Sequence, residues 1–93
     1  MDERPPLWDK WNRDHIEKDH PERNVRRHEV NEALRDPKRR EVVDERDGTT
    51  FHDVIGQTKS GRVLFVVWVD HPMGRYPIHA RQAGRRLSRR YYK

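Results

Sequence analysis

His79 and Arg81 stand two residues apart in Tyr76-Pro77-Ile78-His79-Ala80-Arg81. On an extended chain that spacing puts an imidazole and a guanidinium on one face, roughly 7 Å from each other. An imidazole titrates near neutrality and takes up or delivers a proton. A guanidinium is a permanent cation whose planar fork matches phosphate oxygens. Cleavage of an RNA phosphodiester asks for this combination: a base for the 2′-OH, an acid for the leaving oxygen, and positive charge against the developing phosphorane. His15 and His52 are further imidazoles that a fold can bring to Arg81. Tyr91 and Tyr92 carry phenols that stack on bases or donate to phosphate. Tyr91 shares a four-residue spacing with Ala83 and Leu87, so core packing competes for it, whereas Tyr92 is free of that seam.

The charge distribution supplies a polyanion-binding end. Residues 71–93 hold six Arg, one Lys and no Asp or Glu, while residues 1–70 hold fourteen Lys/Arg against sixteen Asp/Glu. The first part therefore sums to −2 and the tail to +7, giving the net +5 of the chain. Arg85, Arg86, Arg89 and Arg90, with Arg62 from an earlier turn, are the candidate contacts to a phosphate backbone. A basic helix that is merely solvated accounts for the same composition. Six histidines and sixteen carboxylates do not make a metal site here, because His15 and His20 are five apart, off one helix face, and no HExxH, EF-hand loop or Cys/His pairing occurs. Neither a metal nor another cofactor is expected. GxxxxGK[ST], GxSxG and GxGxxG are also missing, which removes nucleotide hydrolysis and serine-hydrolase chemistry from the leading options. The chain has no cysteine and no apolar run longer than seven residues, and a cytoplasmic protein without a membrane span is expected.

The elements that would position these groups follow from periodicity. Met1 to Leu7, with Pro5-Pro6, reads as a loose leader, and residues 8–93 as one domain. Asp9 is an N-cap for a helix reaching about Asp19, on which Trp8, Trp11, Asn12, His15, Ile16 and Asp19 fall in one stripe, with Trp8, Trp11, Asn12 and His15 expected to face the sheet. Trp8 and Asn12 are assigned supporting roles there. Val30, Ala33 and Leu34 mark a second helix from about Arg26 to Arg35, closed by Asp36-Pro37. A weak strand at Glu41–Asp44 and the turn Asp47-Gly48 lead into a strand from Phe51 to Gln57. Val63-Leu64-Phe65-Val66-Val67-Trp68-Val69 has no alternation, the pattern of a central strand covered on both faces. Tyr76 to Arg81 is a last strand that Pro77 pushes to an edge or a bulge. The final helix carries Ala83, Leu87 and Tyr91 inward with Arg85 and Arg89 opposite. The fold class is α+β: two N-terminal helices, a three- to four-stranded antiparallel sheet and a C-terminal helix.

Three segments taken together, Trp8-Asp9-x-x-Asn12-x-x-His15-Ile16, then Val54-Ile55-Gly56-Gln57-Thr58-x-x-Gly61-Arg62-Val63, and Tyr76-Pro77-Ile78-His79-Ala80-Arg81-x-Ala83-x-Arg85-Arg86-x-x-Arg89-Arg90-Tyr91, resemble the BrnT-like ribonuclease toxins of bacterial type II toxin–antitoxin systems. The resemblance covers about residues 8–92. It implies a RelE-like fold, metal-independent cleavage of RNA that inhibits growth, and neutralisation by a DNA-binding, BrnA-like antitoxin encoded nearby, the pair repressing its own operon. Asn12, His15, Arg81 and Tyr91 match positions of the family pattern. The chain departs from that pattern at Leu87, where the family usually has a glutamate, and at Thr50-Phe51-His52, where it commonly has an arginine. The expected function is thus an endoribonuclease toxin, with a non-catalytic nucleic-acid-binding or antitoxin-docking module of the same fold as the alternative.

Overall fold

Residues 3–93 are described by a computed structural model of the chain. Asp9 caps α1 (Lys10–Glu17): its carboxylate accepts from the Asn12 amide, and the Asn12 side chain accepts from the Asp9 amide in return, a reciprocal capping box. A single 3₁₀ turn at Pro21–Arg23 leads to α2 (Arg27–Arg35). Four strands follow, β1 (Arg40–Arg46), β2 (Thr49–Gln57), β3 (Val63–His71) and β4 (Gly74–Gln82), and α3 (Arg85–Tyr92) closes the chain. The sheet is antiparallel in the order β1-β2-β3-β4, a meander in which each strand pairs with its sequence neighbour. Asp47 and Gly48 both adopt positive φ, as the tight turn between β1 and β2 requires.

Side chains alternate across the sheet, and the two faces have separate cores. Val54, Leu64, Val66, Trp68 and Ala80 meet Ile16 of α1 and Val30, Ala33 and Leu34 of α2. On the reverse face Ile55 and Val63 meet Ala83, Leu87 and Tyr91 around α3, with Phe65 alongside. β3 is central and covered on both sides, so its unbroken apolar run is explained. Each such aliphatic side chain, once fully buried, contributes roughly 1.5–3 kcal/mol. α2 lies so close to β2 that a Cβ at Gly56 would stand 2.2 Å from the Ala33 carbonyl oxygen. Only glycine allows that contact.

Two expectations are revised. The part of the leader within the described residues is held rather than loose: the Arg75 amide donates to the Pro5 carbonyl, the Leu7 amide donates to the Arg75 carbonyl, and Arg4 pairs with Asp70 at 2.9 Å. Arg75 itself is buried, donating to the Arg4 and Leu34 carbonyls, so the leader covers one end of β4. Met1 and Asp2 lie outside the described residues. The helix-1 stripe also divides: Asn12 and Ile16 are buried, while Trp11 is 76% exposed. Helix α1 sits at the β4 edge, and its contact face is too narrow to take in Trp11. At the other edge β1 is open, and Val42 and Val43 are both largely exposed.

Candidate functional site

Pro77 is fully buried in edge strand β4, and the ladder slips beside it: Trp68 pairs with Pro77 but Val67 pairs with His79. Ile78 is the extra residue of a bulge, a device that re-aims the side chains after it. His79 and Arg81 both emerge on the α3 face, against Phe65. The His79 ring meets Phe65 edge-on at 5.9 Å, and the Arg81 guanidinium lies over it, 4.9 Å from its centroid. Among the described residues Arg81 makes one hydrogen bond, to the adjacent Gln82 carbonyl.

Burial is the largest influence on His79 and pushes its pKa below the ordinary 6.5; the positive charges of Arg23 and Arg81 push it further, followed by His15 and His20. These influences all favour the neutral imidazole, the form that can act as a base. The same influences identify its surroundings. α1 ends at Glu17, three residues before His20, and the chain turns back so that the His20 ring meets His15 edge-on at 5.5 Å. His15 in turn stacks on Trp11 at 6.2 Å and bonds Asp19 through Nδ1. Arg23, His15 and His20 thus lie within electrostatic range of His79, which shares the Phe65 ring with Arg81. The sequence-predicted site contains His15, His79 and Arg81 of this group but not His20, Arg23 or Phe65. Helical spacing separates His15 from His20; only the early end of α1, before Pro21, brings them together.

Other sequence-predicted members are elsewhere. His52 pairs with Trp68 across β2 and β3, on the α1/α2 face opposite Arg81. Its ring lies flat on the Trp68 indole at 3.7 Å and Nε2 meets Asp70 at 3.1 Å, so it braces the leader rather than joining Arg81. Tyr91 is buried in the α3 core and its hydroxyl donates to Asp36. Burial, then that bond and the Asp36 charge, push the phenol up to about 12, and the hydroxyl is committed to Asp36 on the α3 side of the sheet. Arg62 is occupied by the Glu29 carboxylate, the Asn24 and Arg23 carbonyls and the Gln82 side chain; it fixes the turn that carries Arg23 instead of reaching outward. Asn12 and Trp8 make bonds that fix α1 in the fold. Asn12 donates to the Leu7 and Pro77 carbonyls, tying α1 to the bulged strand, and Trp8 donates to Asn31 of α2.

α3 follows directly from this edge. Arg85, Arg86, Arg89 and Arg90 are all exposed, and none has an ion-pair partner among the described residues, whereas Arg4, Arg13, Arg27, Arg39, Arg46 and Arg62 each meet a carboxylate within 3.4 Å. With Lys93 they line a cavity of about 380 Å³. Arg89 and Arg90 in the last turn suit the macrodipole, but Arg85 and Arg86 oppose it in the first turn, and like charges recur at four-residue spacing. A bound anion relieves both. Tyr92 is exposed, and its hydroxyl accepts from the Gln57 side chain. Leu87, at the position where a glutamate was expected by resemblance, packs into the α3 core.

Among the described residues no group of three or more His, Asp or Glu is placed to hold a metal ion, and no helix is long and apolar enough to cross a membrane. The chain matches no protein-family model and no curated protein in comparisons with known proteins.

Proposed function

We propose that this protein is a BrnT-like endoribonuclease, the toxin of a type II toxin–antitoxin pair, acting in the cytoplasm on RNA without a metal. The observation that carries the reading is the placing of His79 and Arg81 on one face over Phe65, followed in the chain by the exposed arginines of α3, which have no ion-pair partner among the described residues. In the proposed reaction His79 removes the 2′-OH proton, and the 2′ oxygen forms a bond to phosphorus. Arg81 and Arg23 stabilise the phosphorane. His15, held through Nδ1 by Asp19, delivers a proton to the 5′ oxygen as the phosphorus bond to it breaks. The products are a 2′,3′-cyclic phosphate and a 5′-hydroxyl, so atoms and protons balance. Arg85, Arg86, Arg89, Arg90 and Tyr92 hold the RNA backbone and flanking bases.

Induced expression in bacteria should halt growth and deplete intact messenger RNA, and co-expression of a BrnA-like antitoxin encoded nearby should relieve the arrest. Arg81→Ala should also relieve it while leaving the fold intact, since among the described residues Arg81 makes a single exposed hydrogen bond. Arrest of equal depth with Arg81→Ala would remove that residue from the mechanism. The exposed α3 arginines also support a second reading, a module that binds RNA or docks its antitoxin without cutting; RNA bound but never cleaved would select it.

A further inference from the structure

Trp11 is not needed to attach α1. Asn12 and Ile16 fill the contact face and Trp8 packs against the core, yet an indole stands 76% exposed one residue away. One of its faces is set against the His15 ring, at 6.2 Å and 24° between planes. The flanking cavity, about 460 Å³, is lined by Lys10, Trp11, Asp14, His15 and Asp19, a volume in the range of small-ligand sites. Its occupant is constrained by charge. Asp14 meets Arg13 and Lys18 and Asp19 bonds His15, and the lining sets Lys10 against these two carboxylates, a balance that favours a neutral, flat, aromatic group over a phosphodiester.

We infer that Trp11 and His15 form a stacking platform for an unpaired nucleobase next to the scissile phosphate of single-stranded RNA. This rests on the ribonuclease reading and adds its substrate form. His15 meets His20 edge-on, and both lie within electrostatic range of His79. Base–aromatic stacking is worth about 1–3 kcal/mol per base. Duplex RNA, whose bases stack on each other, cannot use it.

The test titrates the full chain with a dye-labelled single-stranded RNA carrying 2′-O-methyl groups, which binds but cannot be cut, reading both anisotropy and tryptophan fluorescence. Trp68 is fully buried and Trp8 partly so, so quenching on binding should come from Trp11 and be missing in Trp11→Ala. That variant should keep its thermal transition and lose roughly 5- to 150-fold in affinity, the factor equivalent to about 1–3 kcal/mol. Trp11→Phe should recover most of the loss, and the duplex of the same sequence should give no quenching. Trp11→Ala that binds this RNA as tightly as the parent would overturn the platform while leaving the ribonuclease reading in place. Failure of the parent to bind RNA at any salt would overturn both. Fluorescence unmoved by RNA but quenched by a protein partner would also overturn the inference, assigning Trp11 to a protein contact.

Discussion

Replacing Arg85 and Arg89 by glutamine tests the cationic helix quantitatively. Each phosphate neutralised on a single strand adds about 0.7 to the slope of log affinity against log salt. Four engaged arginines therefore contribute about 2.8, and the double variant keeps about 1.4. Raising salt from about 50 to about 200 mM should weaken binding through α3 by roughly 50-fold in the parent and roughly 7-fold in the variant. Neither side chain has a partner to lose among the described residues, and their removal relieves an i,i+4 repulsion of about 0.2–0.5 kcal/mol. The thermal midpoint should hold or rise slightly, which separates lost binding from lost folding. Fluorescence anisotropy of a labelled, uncleavable RNA across a salt series reads the slope, with calorimetry for stability. An unchanged slope and unchanged affinity would show that α3 does not carry the RNA backbone, and the antitoxin-docking reading would lead.

Four further outcomes follow from the site and its supports. Gly56→Ala should drive α2 off β2 and cost roughly 3 kcal/mol or more, a fall in Tm of about 12 °C or more by calorimetry; a fall of a degree or two would mean the contact yields easily. Burial raises the Asp36 pKa, but bonds from Tyr91 and the Lys38 and Gln57 amides outweigh it and hold it below 3.8, so its contribution is present above that value and lost as pH falls through the lowered one. Tyr91→Phe should cost about 1–2 kcal/mol at pH 7, with the gap to the parent narrowing on acidification in denaturant titrations. If His79 is the base, the acidic limb of kcat/KM lies below 6.5, and Arg23→Gln, by removing a charge that lowers it, should move the limb to higher pH; a limb that stays put would sever His79 from the rate. Cleavage should persist in EDTA, and loss restored by Zn²⁺ or Mg²⁺ would overturn the assigned site.

The elements were legible because each has a local cause. The unbroken run in β3, the Asp47-Gly48 turn and the Pro77 irregularity are short-range signals, and all correspond to features of the sheet. Within the site, His79 and Arg81 share a face because their spacing fixes it. What was not legible depends on register between distant strands. His52 and Arg81 lie on opposite faces because His52 falls opposite Trp68 while Arg81 falls opposite Phe65, next-but-two along β3, a parity that no single segment encodes. Arg62 was assigned to a phosphate backbone, and Tyr91 to an inward seam with a phenol free for RNA, for want of their long-range acceptors, Glu29 and Asp36. His20 was set aside on helical spacing that ends before it.

The open edge of β1 bears on self-association. A second copy that extended the sheet symmetrically through all seven residues of β1 would centre on Val43, placing Glu41 beside Glu45 and Arg40 beside Arg46, each twice. Like charges directly opposite each other destabilise a strand pair. Centring on Val42 instead brings Arg40 to Asp44 but pairs only the five residues 40–44 of the strand, forfeiting ladder bonds. The two exposed valines are thus guarded by the order of the charges around them: the longest homotypic ladder is the most repulsive one, which disfavours edge-to-edge polymerisation of the free chain.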